Sequence, residues 1–242
     1  MATKKKIIEI KEDDKPDYIG HRQRLRLKFT SDIGRTMLDY ELLELLLTYA
    51  LPRQDVKPLA KTLIRHYKSY ANVIAAPIEE LMAIPGVGNY TAVLIKVVHA
   101  TVNKVCWENL DNHDSPILNN KKALVEYCRS RIGYAGEERI LVIYQDIHGN
   151  YIRDEIEQVG TIDAVFLSPR EIIGKAILLK ASEIIVVHNH PSGEFTPSKM
   201  DIEMTKTLKE ALKQVRIKLQ DHIVISKRGY YSMREHFPFM NS

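Results

Sequence analysis

The sequence predicts an α+β protein in which an all-helical N-terminal half precedes a mixed α/β half, whose sheet is flanked by helices. No strand pattern occurs before about residue 135, and apolar residues in that part recur at helical spacing. Beyond it, short strand patterns alternate with longer helical patterns. The first two strand patterns, 139–146 and 151–160, flank a His-Gly-Asn turn and predict a hairpin.

Helix-start signals support the all-helical half. Asp39 and Asp55 each stand before a helical pattern, where a carboxylate accepts backbone N–H groups that the first turn leaves unpaired. The long apolar segment 90–110 is predicted to be the central helix of this half. Segment 111–120 is polar, contains Pro116 and has no periodicity, so we predict the domain boundary there.

The predicted organisation has three parts. They are a flexible lead-in over 1–18, a helical domain over 19–115 and a mixed domain over 116–242. Within the mixed domain, helices are predicted at 168–181 and 198–215, and further strands at 183–188, 216–226 and 229–233.

Charge, cysteine content and hydropathy exclude few classes of function. Lys and Arg number 17 against 15 Asp and Glu in residues 1–115, and 18 against 16 in the remainder, so each half carries about +2 and neither requires a nucleic acid. The two cysteines, Cys106 and Cys128, predict neither a disulfide framework nor a cysteine zinc site. Charges interrupt every apolar run long enough for a membrane, and no signal-peptide pattern opens the chain, so we expect a cytoplasmic protein without a membrane partner.

The strongest chemical signal is HNHPSGEFTPSKMD at 188–201. Because side chains alternate along a strand, His188 and His190 project to the same side where the apolar strand ends. A Pro-Ser-Gly turn follows, and Asp201 arrives in the first turn of the next helix. Three such ligands leave a fourth position open for water, which is typical of catalytic rather than structural zinc.

A simpler interpretation of the same residues remains open at this point. Ser198 and Asp201 match the Ser-x-x-Asp capping box, in which both side chains satisfy backbone N–H groups at a helix start. The two interpretations are compatible, because a helix start can also hold Asp201 rigidly beside a cation.

The motif also carries a family resemblance. His188, His190, Ser198 and Asp201 meet the spacing of the JAMM motif and resemble the MPN (JAB/Mov34) metalloprotease superfamily. HNHPSG is similar to the RadC branch of that superfamily. Four further segments stand in the order of that branch: LDYELLELLL, IPGVG, LSPREI and LQDHIVIS. The resemblance implies an MPN-type domain with a mixed sheet and one Zn²⁺ per chain.

Catalytic roles follow from the same resemblance. It implies a glutamate before the first strand as general acid/base, for which Glu138 is the expected residue and Glu137 the alternative. Ser198 would stabilise the oxyanion or hold the water, and the zinc ligands would be His188, His190 and Asp201. The implied reaction is hydrolysis of a peptide or isopeptide amide in a protein or peptide substrate by metal-activated water. Asp221 and His222 are interpreted as mainly structural.

The helical half offers a second hypothesis, that of a DNA-binding accessory protein of repair or recombination. IPGVGNYTA resembles the turn of helix-hairpin-helix modules, where Gly86 and Gly88 would let the backbone approach a phosphate. No basic residue lies between Gly86 and Lys96, so this turn alone attracts phosphate weakly, and a packing role for its glycines is an equal alternative. Arg24 and Arg26 are the candidates for the missing charge.

Overall fold

The computed structural model describes residues 17–110, 116–157 and 168–241. The chain separates into two compact units. The first comprises residues up to Val73 together with Pro77–Ile95, and the second comprises Ile74–Ala76 together with the residues from Lys96 onward. The region from 111 to 115, where part of the predicted boundary falls, lies outside the described residues.

The described part of the chain before the sheet is helical, as predicted. Its helices are α1 (Asp17–Asp32), α2 (Asp39–Ala50), α3 (Lys57–Tyr67), α4 (Tyr70–Ala75), α5 (Ile78–Met82) and α6 (Asn89–Leu110). Leucines spaced along α2 and α3, among them Leu43, Leu47 and Leu63, are fully buried and form the core of the first unit. Within the described residues, no helix is both long enough and apolar enough to cross a membrane.

The two predicted helix caps have different outcomes. Asp55 accepts the backbone N–H of Lys57 at 3.0 Å, so it pairs with one N–H of the first turn of α3, although the N-cap position itself is Val56. The prediction for Asp39 is wrong, because Asp39 is already inside α2 and its Oδ2 accepts the N–H of Tyr70, at the start of α4, at 2.9 Å. At the start of α2 the capping role belongs to Glu41, whose longer side chain accepts the N–H of Leu38 at 2.9 Å.

The second unit contains the predicted hairpin, helices and strands. Beyond α6 it contains a 3₁₀ turn (Ile117–Asn120), α7 (Lys121–Cys128), a π turn (Arg129–Gly133), β1 (Ile140–Gln145), β2 (Tyr151–Glu157), α8 (Pro169–Leu178), β3 (Glu183–Asn189), α9 (Lys199–Gln214), β4 (Lys218–Ile225), β5 (Tyr230–Ser232), α10 (Met233–His236) and a second 3₁₀ turn (Pro238–Asn241). The last residues of the predicted second strand, 158–160, lie outside the described residues.

These strands form a mixed sheet of order β2-β1-β3-β4-β5 among the described residues. Only β3 and β4 pair in parallel, with α9 as the connection between them, and the other neighbours are antiparallel. A helix that connects two parallel strands starts beyond the carboxyl end of the first strand. The start of α9 therefore lies near the end of β3, where the sequence places His188.

Helices cover both faces of this sheet. One face carries Ile140, Val142 and Val186 and packs against apolar side chains of α8 and α9. The opposite face carries Leu141 and Val187 and packs against α7 and the end of α6. Alternation along β3 therefore assigns His188 to the α9 face and Asn189 to the α7 face.

Candidate metal centre

Two histidines meet at the carboxyl end of β3. His188 is almost completely buried, and His190 follows one residue after the strand ends. The backbone N–H of His190 donates to the carbonyl of Ile225 at 2.9 Å and keeps the chain extended there. The two Nε2 atoms are 2.9 Å apart. Two imidazole nitrogens at this distance repel each other unless a proton or a metal cation lies between them.

Asp201 completes the cluster from the start of α9. Ser198 is the N-cap of this helix: its Oγ accepts the N–H of Asp201 at 3.1 Å, and its own N–H donates to Asp201 Oδ2 at 2.7 Å. The carboxylate still reaches the histidines, with Oδ1 at 3.4 Å from His188 Nε2 and Oδ2 at 3.6 Å from His190 Nε2. The capping box and the cluster are thus present together.

The dimensions of the cluster fit a small tetrahedral cation. Nitrogen and oxygen ligands bind zinc at about 2.0–2.1 Å, so two corners of a tetrahedron lie about 3.3 Å apart. The three separations given above lie close to this value, and the candidate ligand atoms all lie within 4.8 Å of one another. Two imidazoles and one carboxylate are also the ligand types that zinc accepts in sites with an open position.

When both rings are neutral, their hydrogen bonds at Nδ1 leave the two Nε2 atoms with lone pairs. Nδ1 of His190 donates to the carbonyl of Glu194 at 3.0 Å, so its Nε2 carries the lone pair. Nδ1 of His188 instead lies 2.8 Å from Nε2 of His222, a fully buried residue of β4. His222 Nδ1 is 2.5 Å from Thr205 Oγ1, and that hydroxyl is 2.5 Å from the carbonyl of Asp201.

The polarity of this relay, from His188 through His222 to Thr205, is set at the threonine. The other partners of the hydroxyl are the Asp201 carbonyl and the Met233 sulfur, which only accept, so its proton points toward one of them. Its lone pair then accepts from His222 Nδ1–H, and His222 Nε2 accepts from His188 Nδ1–H. Burial holds the pKa of His222 well below its usual value. The ring therefore stays neutral, so it can donate through Nδ1 and accept through Nε2.

Charges within the cluster are coupled. The bond to Asp201 raises the pKa of His190. Burial acts to raise the pKa of the Asp201 carboxyl, but bonds from His188, His190 and Ser198 together hold it well below its usual value. Asp201 is therefore a carboxylate at every physiological pH and is available as a ligand.

The structure separates the two candidate glutamates. Glu137 is exposed and its carboxylate pairs with Arg139 at 3.0 Å. Glu138 lies two residues before β1, and its charge contributes to the raised pKa of His190, so its carboxylate lies within electrostatic reach of the cluster. Strand β1 pairs with β3 so that Ile140 stands opposite His188, which brings the segment just before β1, including Glu138, to the end of β3 where the histidines lie.

For His222, interpreted from the sequence as mainly structural, the structure shows a direct contact with His188, whose Nδ1 lies 2.8 Å from Nε2 of His222. The neighbouring Asp221 does have the expected structural role, since it accepts from Ser232 Oγ at 2.6 Å and from the N–H of Arg234 at 3.0 Å.

The residues considered for DNA lie in the first unit. Gly86 adopts a φ of +92° between α5 and α6, which explains the need for glycine there. A Cβ at Gly88 would meet nothing within 4 Å, so packing does not require this second glycine. Arg24 and Arg26 are exposed on α1, whereas Arg22 donates to the carbonyl of Leu51 at 2.9 Å, just after α2.

Residues 118–237 match the family model of the RadC-like JAB domain. The match covers the whole sheet, α7 to α10 and each of the residues that surround His188. Residues 118–237 are therefore a RadC-like JAB domain, and this domain belongs to the RadC-like JAB family.

Proposed function

We propose that the protein is a zinc-dependent hydrolase of peptide or isopeptide amide bonds. The observation that carries the proposal is the combination of an open ligand set, His188, His190 and Asp201, with the carboxylate of Glu138 within electrostatic reach of it. A ligand set alone would support a structural metal site. Proton transfer requires in addition a carboxylate near the metal that is not one of its ligands, and Glu138 is the candidate for this role.

The roles of the residues follow from their contacts. When bound, zinc would acidify a water molecule and polarise the scissile carbonyl. His188 and His190 would hold the metal through Nε2, with their tautomers set by His222 and by the Glu194 carbonyl. Glu138 would accept the proton of the attacking water and deliver it to the leaving nitrogen, which the exposure of its side chain to solvent allows.

Ser198 is suited to stabilise negative charge on the substrate. Its Oγ is the acceptor in the capping box, so that bond does not use the hydroxyl proton. The side chain is exposed at the start of α9, three residues before the ligand Asp201. A hydroxyl in this position can donate to the oxygen of the scissile carbonyl as charge develops there.

The decisive experiment compares Glu138→Gln with Glu137→Gln. The zinc-loaded protein and both variants are incubated with a peptide library that combines a digested proteome with peptides joined through lysine isopeptide bonds, and new termini and released branches are identified by mass spectrometry. Zinc content is measured in parallel by elemental analysis. Because Glu138 is not proposed as a ligand, Glu138→Gln should keep one zinc per chain and lose about 10²- to 10⁴-fold in cleavage rate.

Glu137→Gln serves as the matched control, since it makes the same change one residue away in a side chain paired with Arg139. It should keep both zinc and activity. Wild-type protein that binds no divalent metal, or that binds zinc and cleaves no peptide, would contradict the proposal. Loss of activity in Glu137→Gln alone would move the proton-transfer role to that residue.

A further inference from the structure

The segment that carries Glu138 is irregular backbone, which by itself gives a catalytic side chain no fixed position. Arg139 and Glu138 precede β1, and neither belongs to a helix or strand. A general base has to stay within hydrogen-bond reach of the water that it deprotonates. Some other contact must therefore hold this segment against the end of β3.

Asn189, the residue between the two histidines, makes that contact. Its Oδ1 accepts the N–H of Arg139 at 2.6 Å, and its Nδ2 donates to the carbonyl of Glu137 at 3.0 Å. Its backbone N–H donates to the carbonyl of Arg139 at 3.2 Å. The two side-chain bonds hold the peptide groups on both sides of Glu138, and the backbone bond holds the next peptide group along the chain.

Burial makes these contacts of Asn189 rigid. Asn189 has no exposed surface, and both ends of its amide are satisfied by the same three-residue segment. Breaking these bonds would leave buried polar groups unpaired, which opposes local opening. Because Asn189 is joined to both His188 and His190 by peptide bonds, the amide ties the position of Glu138 to that of the metal ligands.

We infer that Asn189 is the positioning residue for Glu138: its side-chain amide fixes the peptide groups before and after Glu138 and so holds that carboxylate at the metal site. This inference rests on the proposed function for the role of Glu138. Asn189 does not touch the metal ligand atoms, since its side chain lies on the opposite side of the strand from His188. It acts on catalysis only through Glu138.

The test uses Asn189→Leu, which keeps the size of the side chain and removes the amide. The matched control is Gln145→Met, because Gln145 is also a fully buried amide and lies at the far end of β1, where it donates to the Gly149 carbonyl at 2.7 Å. The zinc-loaded full-length proteins are compared for zinc content, melting temperature, amide hydrogen exchange, and kcat and KM on the best-cleaved peptide of the library described above.

The expected result separates positioning from general destabilisation. Asn189→Leu should keep one zinc per chain, exchange the Arg139 amide about tenfold faster, and lose about 10- to 100-fold in kcat with little change in KM. Gln145→Met should lower the melting temperature similarly while leaving Arg139 exchange and kcat as in wild type. The double variant Glu138→Gln/Asn189→Leu should be no slower than Glu138→Gln, because the two residues act as one unit.

Two results would overturn the inference. One is unchanged Arg139 exchange in Asn189→Leu, and the other is a double variant whose loss equals the product of the two single losses. If the wild-type protein cleaves no peptide, the proposed function fails. Hydrogen exchange of the Arg139 amide then tests by itself whether Asn189 holds the Glu138 segment in place.

Discussion

Replacing Thr205 by valine should weaken zinc binding although it removes none of the ligands. Valine has nearly the shape of threonine and a similar tendency to form helix, so the α9 backbone should not move. The change removes the hydroxyl that accepts from His222 Nδ1–H. That N–H is then left without an acceptor in a ring that is almost completely buried.

The expected magnitude follows from the relay. An unpaired buried donor costs about 1–3 kcal/mol. His222 escapes this cost by moving its proton to Nε2, but His188 must then carry its own proton on Nε2, which blocks coordination. The zinc-bound state therefore keeps the unpaired N–H of His222, whereas the metal-free state avoids it. Zinc affinity should fall by the corresponding factor of about 5 to 150.

Zinc affinity is measured by competition with a chelating dye at neutral pH, and melting of the metal-free protein is recorded alongside. Thr205→Ser is the matched control, since it keeps the hydroxyl and should bind zinc as wild type does. Affinity of Thr205→Val within twofold of wild type would refute the reasoning about the relay. Loss in Thr205→Ser but not in Thr205→Val would mean that the methyl group, and not the hydroxyl, supports the site.

The remaining predictions concern pH, stability and DNA. The proposed zinc site requires neutral His190. Because Asp201 raises the pKa of this residue, zinc affinity should begin to fall at a pH above the usual imidazole value as the pH drops, in competition titrations between about pH 5 and 8. In the metal-free protein the same pair stabilises the fold below the unfolded pKa of His190, and this contribution is lost as pH rises through the raised value; pH-independent melting would contradict this. Leu212→Ala, at a fully buried position of α9, should lower the free energy of unfolding by about 2–5 kcal/mol in denaturant titrations. For the helical unit we propose weak, salt-dependent binding of duplex DNA that Arg24→Ala/Arg26→Ala reduces; binding unaffected by salt or by these changes would exclude it.

Much of the fold could be predicted because its signals are local. The helical spacing before residue 110 and the apolar runs of β1 and β3 depend on neighbouring residues alone. The convergence of His188, His190 and Asp201 has the same origin, since one strand end, one turn and one helix start bring them together. Asp39 shows the limit of such reasoning, because its cap partner is Tyr70, a distant residue in the chain.

The support around the cluster could not be predicted in the same way. His222 reaches His188 only because β4 pairs in parallel with β3 in a register that places Val186 opposite His222. Asn189 forms hydrogen bonds with the Glu138 segment only because β1 is antiparallel to β3. Register between strands that are distant in sequence depends on the whole sheet, and no local pattern specifies it.

The short span from His188 to Asp201 has a consequence for folding. All three candidate ligands belong to one strand-turn-helix segment, so bringing them together closes only a short loop and costs little chain entropy. Zinc could therefore bind before β4 and β5 join the sheet. Its binding energy would then stabilise the native position of the start of α9 against the end of β3. On this view the metal contributes to assembly of the domain as well as to its chemistry, and refolding should be faster when zinc is present from the start than when it is added last.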